Sequence, residues 1–199
     1  MPKKHKKHHP NLHFSIRGGL LFEKESPESG FKRLGTGLSG SFEFSRQQWY
    51  EIPLHEDVRE QVMPLLANSV RDRGEREAVS RLLNLVQTGF EYEYDEKVWG
   101  HDRPFFAEET LYYPFCDCED RAILLSRLVR DLLGLRTLLV FYPGHLAMAV
   151  AFNEKVEGDY IVCQGQRFVV CDPTYIGAPV GATMTGMDNA KATVVLLEP

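Results

Sequence analysis

Cys116 and Cys118 flank Asp117 at the head of FCDCEDRAILLSRLVRDLLGL, residues 115–135, and an apolar run with helical spacing follows them at once. A sulfur placed there has three possible uses: to attack a carbonyl, to hold a metal, or to fill a core. In the first turn of a helix a thiol is stabilised as thiolate by the unpaired amides and the helix dipole, and a neighbouring imidazole strengthens the effect. The imidazole in turn needs a group on its far nitrogen to fix its tautomer. His145 and Asp172 are the candidates for those two places, in the chain order Cys118, His145, Asp172. The first-turn amides are also candidate donors to the oxyanion of a tetrahedral intermediate. Tyr112 or Tyr113, just upstream, could add another donor, and Trp99 could line a cleft.

These residues count only if the chain brings them together. Val79, Leu82, Leu83, Val86 and Phe90 recur at helical spacing from Glu75 to Phe90, and a shorter helix is predicted near His55–Met63, stopped by Pro64. The segment EYEYDEKVWGHDRPFFAEETLYYP has no clear period but many aromatics, so it reads as a functional loop or as a seal on the side of the core. The next helix is predicted from about Cys118, with Asp117 as N-cap, Ala122, Leu125, Val129 and Leu132 inward, and Gly134 near its C-terminal cap. Cys118, four residues before Ala122, falls on the inward face.

Everything after that reads as strand. RTLLVFYPGHLAMAVAF makes two strands joined at Pro143-Gly144; DYIVCQGQRFVVCDPTY makes a hairpin about Gln164-Gly165, closed by Asp172-Pro173; Thr193–Leu197 adds one more. Helices followed by antiparallel strands is the α+β pattern. In the strand from His145, alternation puts His145, Ala147, Ala149 and Ala151 on one face and Leu146, Met148, Val150 and Phe152 on the other. Small residues admit a close helix, so the Cys118 helix is expected over the alanine face, bringing the sulfur toward the imidazole.

Taken singly, each of the three residues has an ordinary structural use. Inward cysteines pack cores, a histidine at a strand start is often a satisfied structural group, and Asp-Pro-Thr opens turns. Together, CEDRA at Cys118–Ala122 before a helix ending LLGL, Gly144-His145, and DPTY at Asp172–Tyr175 resemble the transglutaminase-like superfamily of cysteine enzymes, over roughly residues 75–175. The resemblance implies a papain-like core, helices packed on an antiparallel β-sheet with the nucleophile at the N-terminus of the central helix. It implies Cys118 as nucleophile, His145 as general base and then acid, and Asp172 as orienter. It also separates Cys118 from Cys116, since the family's cysteine is followed two residues later by aspartate, here Asp120. The chain departs from the family in two respects: Leu146 and Ala147 stand where alanine and tryptophan are common, and Cys116 where glycine is usual. Cys116 is then either packing or a redox brake on the nucleophile.

Composition bounds the rest. A chain of 199 residues with 43% hydrophobic and 26% charged residues is long enough for a substantial core. The lead-in at 1–40, rich in Gly, Ser, Lys and His, is expected to be loosely structured, with short strands possible at Leu12–Ile16 or Ser41–Phe44, and 41–199 is expected to be the catalytic domain. Of the net charge of −5, the four lysines among residues 1–10, with no acid beside them, leave −9 on the remainder, which argues against a nucleic-acid partner. No run of 18 apolar residues suggests a membrane partner, and no signal peptide is evident, so the expected location is cytoplasmic, or periplasmic or secreted if this is a fragment of an exported parent. Zinc binding by Cys116, Cys118, Cys163 and Cys171 is disfavoured, because Cys163 and Cys171 are expected on opposite faces of the hairpin. The reading is therefore an enzyme without metal or cofactor, hydrolysing amide bonds of a peptide or protein substrate through a thioester on Cys118. The alternatives are an inactive peptide- or glycan-binding module of the same fold and an acyltransferase using the same triad.

Overall fold

The computed structural model describes residues 12–17, 20–23, 40–44 and 49–199, with side chains from residue 49 onward. The chain divides into two compact units, Met1–Ile52 and Pro53–Pro199. In the first, β1 (Leu12–Arg17), β2 (Leu20–Glu23) and β3 (Gly40–Phe44) form an antiparallel sheet in the order β2-β1-β3, Ser15 standing opposite both Phe22 and Ser41. Apart from these strands, the lead-in expected to be loosely structured lies outside the described residues.

The second unit is α+β. Its first helix, α1 (Glu56–Val70), runs through Pro64 instead of stopping there. Proline at that position removes one amide donor, and the carbonyl it would have served belongs to Glu60; both residues are exposed, so water takes over the lost partner. Helix α2 (Glu75–Thr88) follows the predicted stripe, burying Val79, Leu82, Leu83 and Val86, but Gln87 is buried with them. The aromatic segment is not a bare loop. It contains β4 (Glu91–Tyr92), the short helices α3 (Asp95–Val98) and α4 (Ala107–Tyr112), and β5 (Phe115–Cys116), and β5 pairs in parallel with β4 so that Tyr92 stands opposite Cys116.

Helix α5 (Cys118–Leu133) is the centre of this unit. Every residue from Asp120 to Arg130 is buried, so the helix is enclosed on all sides rather than along one stripe. Fully buried Leu124, Leu125 and Leu128 each contribute roughly 1.5–3 kcal/mol by leaving water. The arginines enclosed with them have partners in place: Arg127 pairs with Asp131, and Arg130 donates to Ser126 O at 3.2 Å and Glu198 O at 3.2 Å. The helix ends on Gly134, whose φ of 65° is left-handed and whose amide caps Arg130 O.

Strands β6 (Thr137–Tyr142), β7 (His145–Val150), β8 (Tyr160–Cys163), β9 (Gln166–Cys171) and β10 (Thr193–Leu197) form an antiparallel sheet ordered β10-β6-β7-β9-β8. The β8–β9 turn at Gln164-Gly165 takes φ of 51° and 77°, the type I′ geometry that suits a two-residue hairpin. The alanine row does not face α5. Ala147, Ala149 and Ala151 cluster with Leu138, Val140, Tyr142 and Phe168 and with Met187 and Ala192 of the C-terminal segment, and no residue of α5 belongs to that cluster. The helix lies against the opposite face, where the register places Leu139, Met148 and Cys171. A row of methyl groups admits any close neighbour, and here irregular chain takes the place expected for the helix. Cys163 joins the alanine-side cluster while Cys171 faces the helix side, so the two sulfurs point apart.

Nothing stands within 4 Å of where a Cβ at Gly134 would lie, so substitution there is strained by conformation alone. Gly134→Ala is expected to cost about 1–2 kcal/mol and to lower the melting temperature by on the order of 5 °C, read by circular dichroism; an unchanged melting curve would show that the cap does not hold the helix end.

Candidate active site

The site begins at the switch from strand to helix. Asp117 is the N-cap of α5, its Oδ1 accepting from Glu119 N at 2.8 Å and Asp120 N at 3.3 Å. Asp120 answers with Oδ2 on Asp117 N at 3.1 Å, closing a capping box. Its other oxygen accepts from Phe105 N at 2.8 Å and so anchors the aromatic segment to the same turn. Burial, followed by the charge of Asp117, pushes the Asp120 carboxyl well above its ordinary value. The cap changes the expected oxyanion donors: the Glu119 and Asp120 amides are taken by Asp117, leaving the Cys118 amide as the first-turn donor the cap does not use. Cys118 itself is half-buried at the first helical position.

His145 is the first residue of β7, three residues before the first rung that β7 makes with β9. Asp172 follows directly on β9. Both therefore sit at the rim of the sheet, His145 held there by its pairing with Tyr142 and Asp172 by the end of β9. His145 Nε2 and Asp172 Oδ2 are 2.8 Å apart, with side-chain exposures of 7% and 1%, so the pair is shielded from water and salt. Asp172 Oδ1 accepts from Thr174 N at 2.9 Å and Tyr175 N at 3.1 Å, leaving Oδ2 to the ring. Burial pulls the His145 pKa down, but hydrogen bonds to Asp172 and to the Cys118 sulfur, with the negative charge of both, outweigh it and raise the value to about 9. Tyr142 stacks on the ring at 6.2 Å and 12°, its own hydroxyl held by Asn189 Oδ1 at 2.6 Å. The geometry thus joins His145 to Asp172, and the charge of the Cys118 sulfur reaches the same ring.

The aromatic candidates sit elsewhere. Trp99 and Tyr113 pack edge to face at 5.4 Å, with Phe105 and Phe115 around them and the Arg103 guanidinium 4.4 Å from the Trp99 ring. Tyr112 is 81% exposed and touches Tyr113 edge-on. These rings brace the Phe105 anchor on Asp120 and engage one another and Arg103. The tyrosine that feels the charge of the sulfur is instead Tyr92. Burial, then the charges of Cys118, Tyr94 and Asp117, raise its pKa, so the phenol stays protonated and remains a donor through neutral pH. Its position depends on the β4–β5 pairing between residues 24 apart, which leaves no local signal in the sequence.

Arg121, 1% exposed and one turn beyond Cys118, is the second residue not singled out beforehand. Its guanidinium donates to Phe90 O at 2.8 Å, Gln87 O at 3.4 Å and Pro173 O at 3.5 Å, faces the Tyr92 ring at 5.4 Å, and reaches Cys116 Sγ from Nε at 3.4 Å. Cys116 is 2% exposed, and burial raises its thiol to about 11 despite Arg121. A buried thiol held protonated is a poor partner for exchange, which favours packing over the redox brake.

No protein-family model matches the chain, and no curated protein does. Among solved structures the chain is similar to Legionella pneumophila LapG, at 14% identity and a TM-score of 0.46 over 71% of this chain and 78% of that one. The EGTA-treated form of LapG aligns at 16% identity and a TM-score of 0.41, over 64% and 68% of the two chains. A candidate cysteine protease from Cytophaga hutchinsonii aligns at 13% identity and a TM-score of 0.45, over 73% of this chain and 50% of that one.

The raised His145 pKa carries a definite pH signature. A histidine whose folded value lies above its unfolded value of about 6.5 contributes stability that is whole below that pH and is lost as pH rises through about 9. The melting temperature is expected to fall over that window in the parent protein and to fall less in Asp172→Asn, where the ring has no anionic partner. Parallel pH profiles for the two proteins would contradict the assignment.

Proposed function

We propose that the protein is a cysteine hydrolase of amide bonds, acting on peptide or protein substrates through a thioester on Cys118. The observation that carries this reading is the His145 ring, bonded to buried Asp172 at 2.8 Å and lying within the field of the Cys118 sulfur, whose charge helps to raise its pKa. That arrangement favours a thiolate–imidazolium pair, with Asp172 fixing the orientation of the ring.

The proposed steps are these. The Cys118 thiolate attacks the amide carbonyl carbon, forming a C–S bond and an oxyanion that the Cys118 amide is placed to stabilise. The His145 imidazolium gives its proton to the amide nitrogen, the C–N bond breaks, and the amine leaves. Water then attacks the thioester, its proton passing to the now neutral imidazole; the C–S bond breaks, restoring thiolate and imidazolium and releasing the acid. The sum is amide plus water to acid plus amine. Tyr92, kept protonated near the sulfur, supplies a further donor for the carbonyl end of the substrate.

A broad thiol-directed activity probe, with peptide mapping of the label, tests the assignment together with turnover of a quenched fluorescent peptide library. Labelling is expected at Cys118, with turnover abolished in Cys118→Ala and labelling slowed by roughly 10²–10⁴-fold in His145→Ala. Label on Cys116 with Cys118 untouched, or equal labelling rates for folded and denatured Cys118, would refute a catalytic Cys118 and leave a binding module. A primary amine added to the assay separates the two possible fates of the thioester. Hydrolysis predicts acid as the product throughout, and an amide with the added amine would mark an acyltransferase.

A further inference from the structure

We infer that Gln87 is the positioning residue of the site: its buried side-chain amide holds the turn segment after β9 so that Asp172 stays on His145. This rests on the triad reading above and names the residue that maintains its geometry.

Asp172 needs such a hold. Residues 172–188 contain no helix or strand, and the bonds from Asp172 Oδ1 to Thr174 N and Tyr175 N fix the carboxylate only within its own turn. They do nothing to fix that turn against α5, which carries the sulfur. Gln87 does. It is 3% exposed on the inward stripe of α2, and its Nε2 lies 3.0 Å from Asp172 O, 2.9 Å from Tyr175 O and 3.1 Å from Ala178 O. Two N–H groups serve three carbonyls, so at least one is shared, and the three acceptors span the turn that presents Asp172.

The same residue is fixed from the other side. Its backbone carbonyl accepts from Arg121 Nη1 at 3.4 Å, and Arg121 stands on α5 three residues beyond Cys118. A continuous path results: Cys118 to Arg121 along the helix, Arg121 to the Gln87 carbonyl, the Gln87 amide to the Asp172 backbone, and Asp172 to His145. Arg121 also reaches Pro173 O directly, but at 3.5 Å, longer than any of the three Gln87 contacts. A glutamine inside an apolar stripe is disfavoured unless its polar atoms are satisfied, and leucine would serve packing alone. What the amide adds is a donor set aimed at the Asp172 turn.

The test is Gln87→Met, which keeps length, volume and helix propensity but removes the donors. The His145 ring-proton titration, followed by NMR, is expected to move down by one unit or more from about 9. Turnover of the fluorescent peptides should lose roughly 10- to 100-fold in kcat, with KM within about twofold. A variant that melts lower but keeps the parent titration and kcat would show that Gln87 only packs, and would overturn the inference. Should Gln87→Met fail to fold, the parent protein still decides. The Gln87 side-chain amide protons should exchange with solvent tens of times more slowly than those of an exposed glutamine, and exchange at the exposed rate would overturn it. A parent that hydrolyses no peptide, in which Gln87→Met nonetheless lowers the His145 titration, would sink the hydrolase reading and leave the positioning role standing.

Discussion

The hydrogen bond between Asp172 and His145 is the constraint from which the rest of this structure follows. A carboxylate that is 1% exposed loses most of its hydration, and only close, well-directed donors make that tolerable. Asp172 has three: two backbone amides on one oxygen and the imidazole on the other. Both residues lie beyond the last β7–β9 rung, and the pairing of His145 with Tyr142 in the β6–β7 ladder fixes the backbone that carries the ring. The end of the β7–β9 ladder is where a rigid scaffold opens to other parts of the chain.

Enclosing α5 on every side has a consequence for its charged residues. A helix sandwiched between α2, the aromatic segment and the sheet has no solvent face on which to place arginine, yet Arg121, Arg127 and Arg130 are all buried within it. Each is answered locally, and Arg121 is answered by carbonyl groups and a sulfur rather than by an ion pair alone. Carbonyls at the ends of other elements are the acceptors left over when helices and strands stop. A planar guanidinium can reach several at once, which a lysine at the same place could not. Arg121 thereby fastens the end of α2, the start of the Asp172 turn and the Tyr92 ring to one turn of the central helix. The residue that orders the surroundings of the sulfur is thus itself part of the helix bearing it.

Much of this was legible in the chain. The two-residue period of His145–Val150, the helical period after Cys118, the Asp117 cap, the Gly134 terminator and the Gln164-Gly165 turn are local features, and local sequence records them. What escaped depends on partners distant in the chain. Alternation divides β7 into a small face and a bulky face, but it does not say which layer covers which. Methyl groups accept the Met187 and Ala192 segment as readily as a helix, while Leu139 and Met148 fill the space against α5. Pro64 is another case: its local signal is a stop, but on an exposed face solvent satisfies the freed carbonyl and the helix continues. Tyr92 and Gln87 carry no signal at all, since one owes its position to a parallel pairing and the other to a turn 85 residues away.

Cys116 and Cys118 show how far position decides chemistry for one residue type. They are two residues apart, yet the backbone changes from strand to helix at Asp117 between them. The strand sends Cys116 into the protein, toward the Glu91 carbonyl at 4.0 Å and the Arg121 guanidinium, where loss of hydration outweighs the nearby cation and the thiol keeps its proton. The helix start leaves Cys118 half-buried, with its charge felt by His145. A cation is present in both environments; what differs is water. Arg121 lies sealed within the core, where a thiolate would have to be formed against the full cost of burial. Cys118 is only half-buried, at the end of the helix where the His145–Asp172 pair stands.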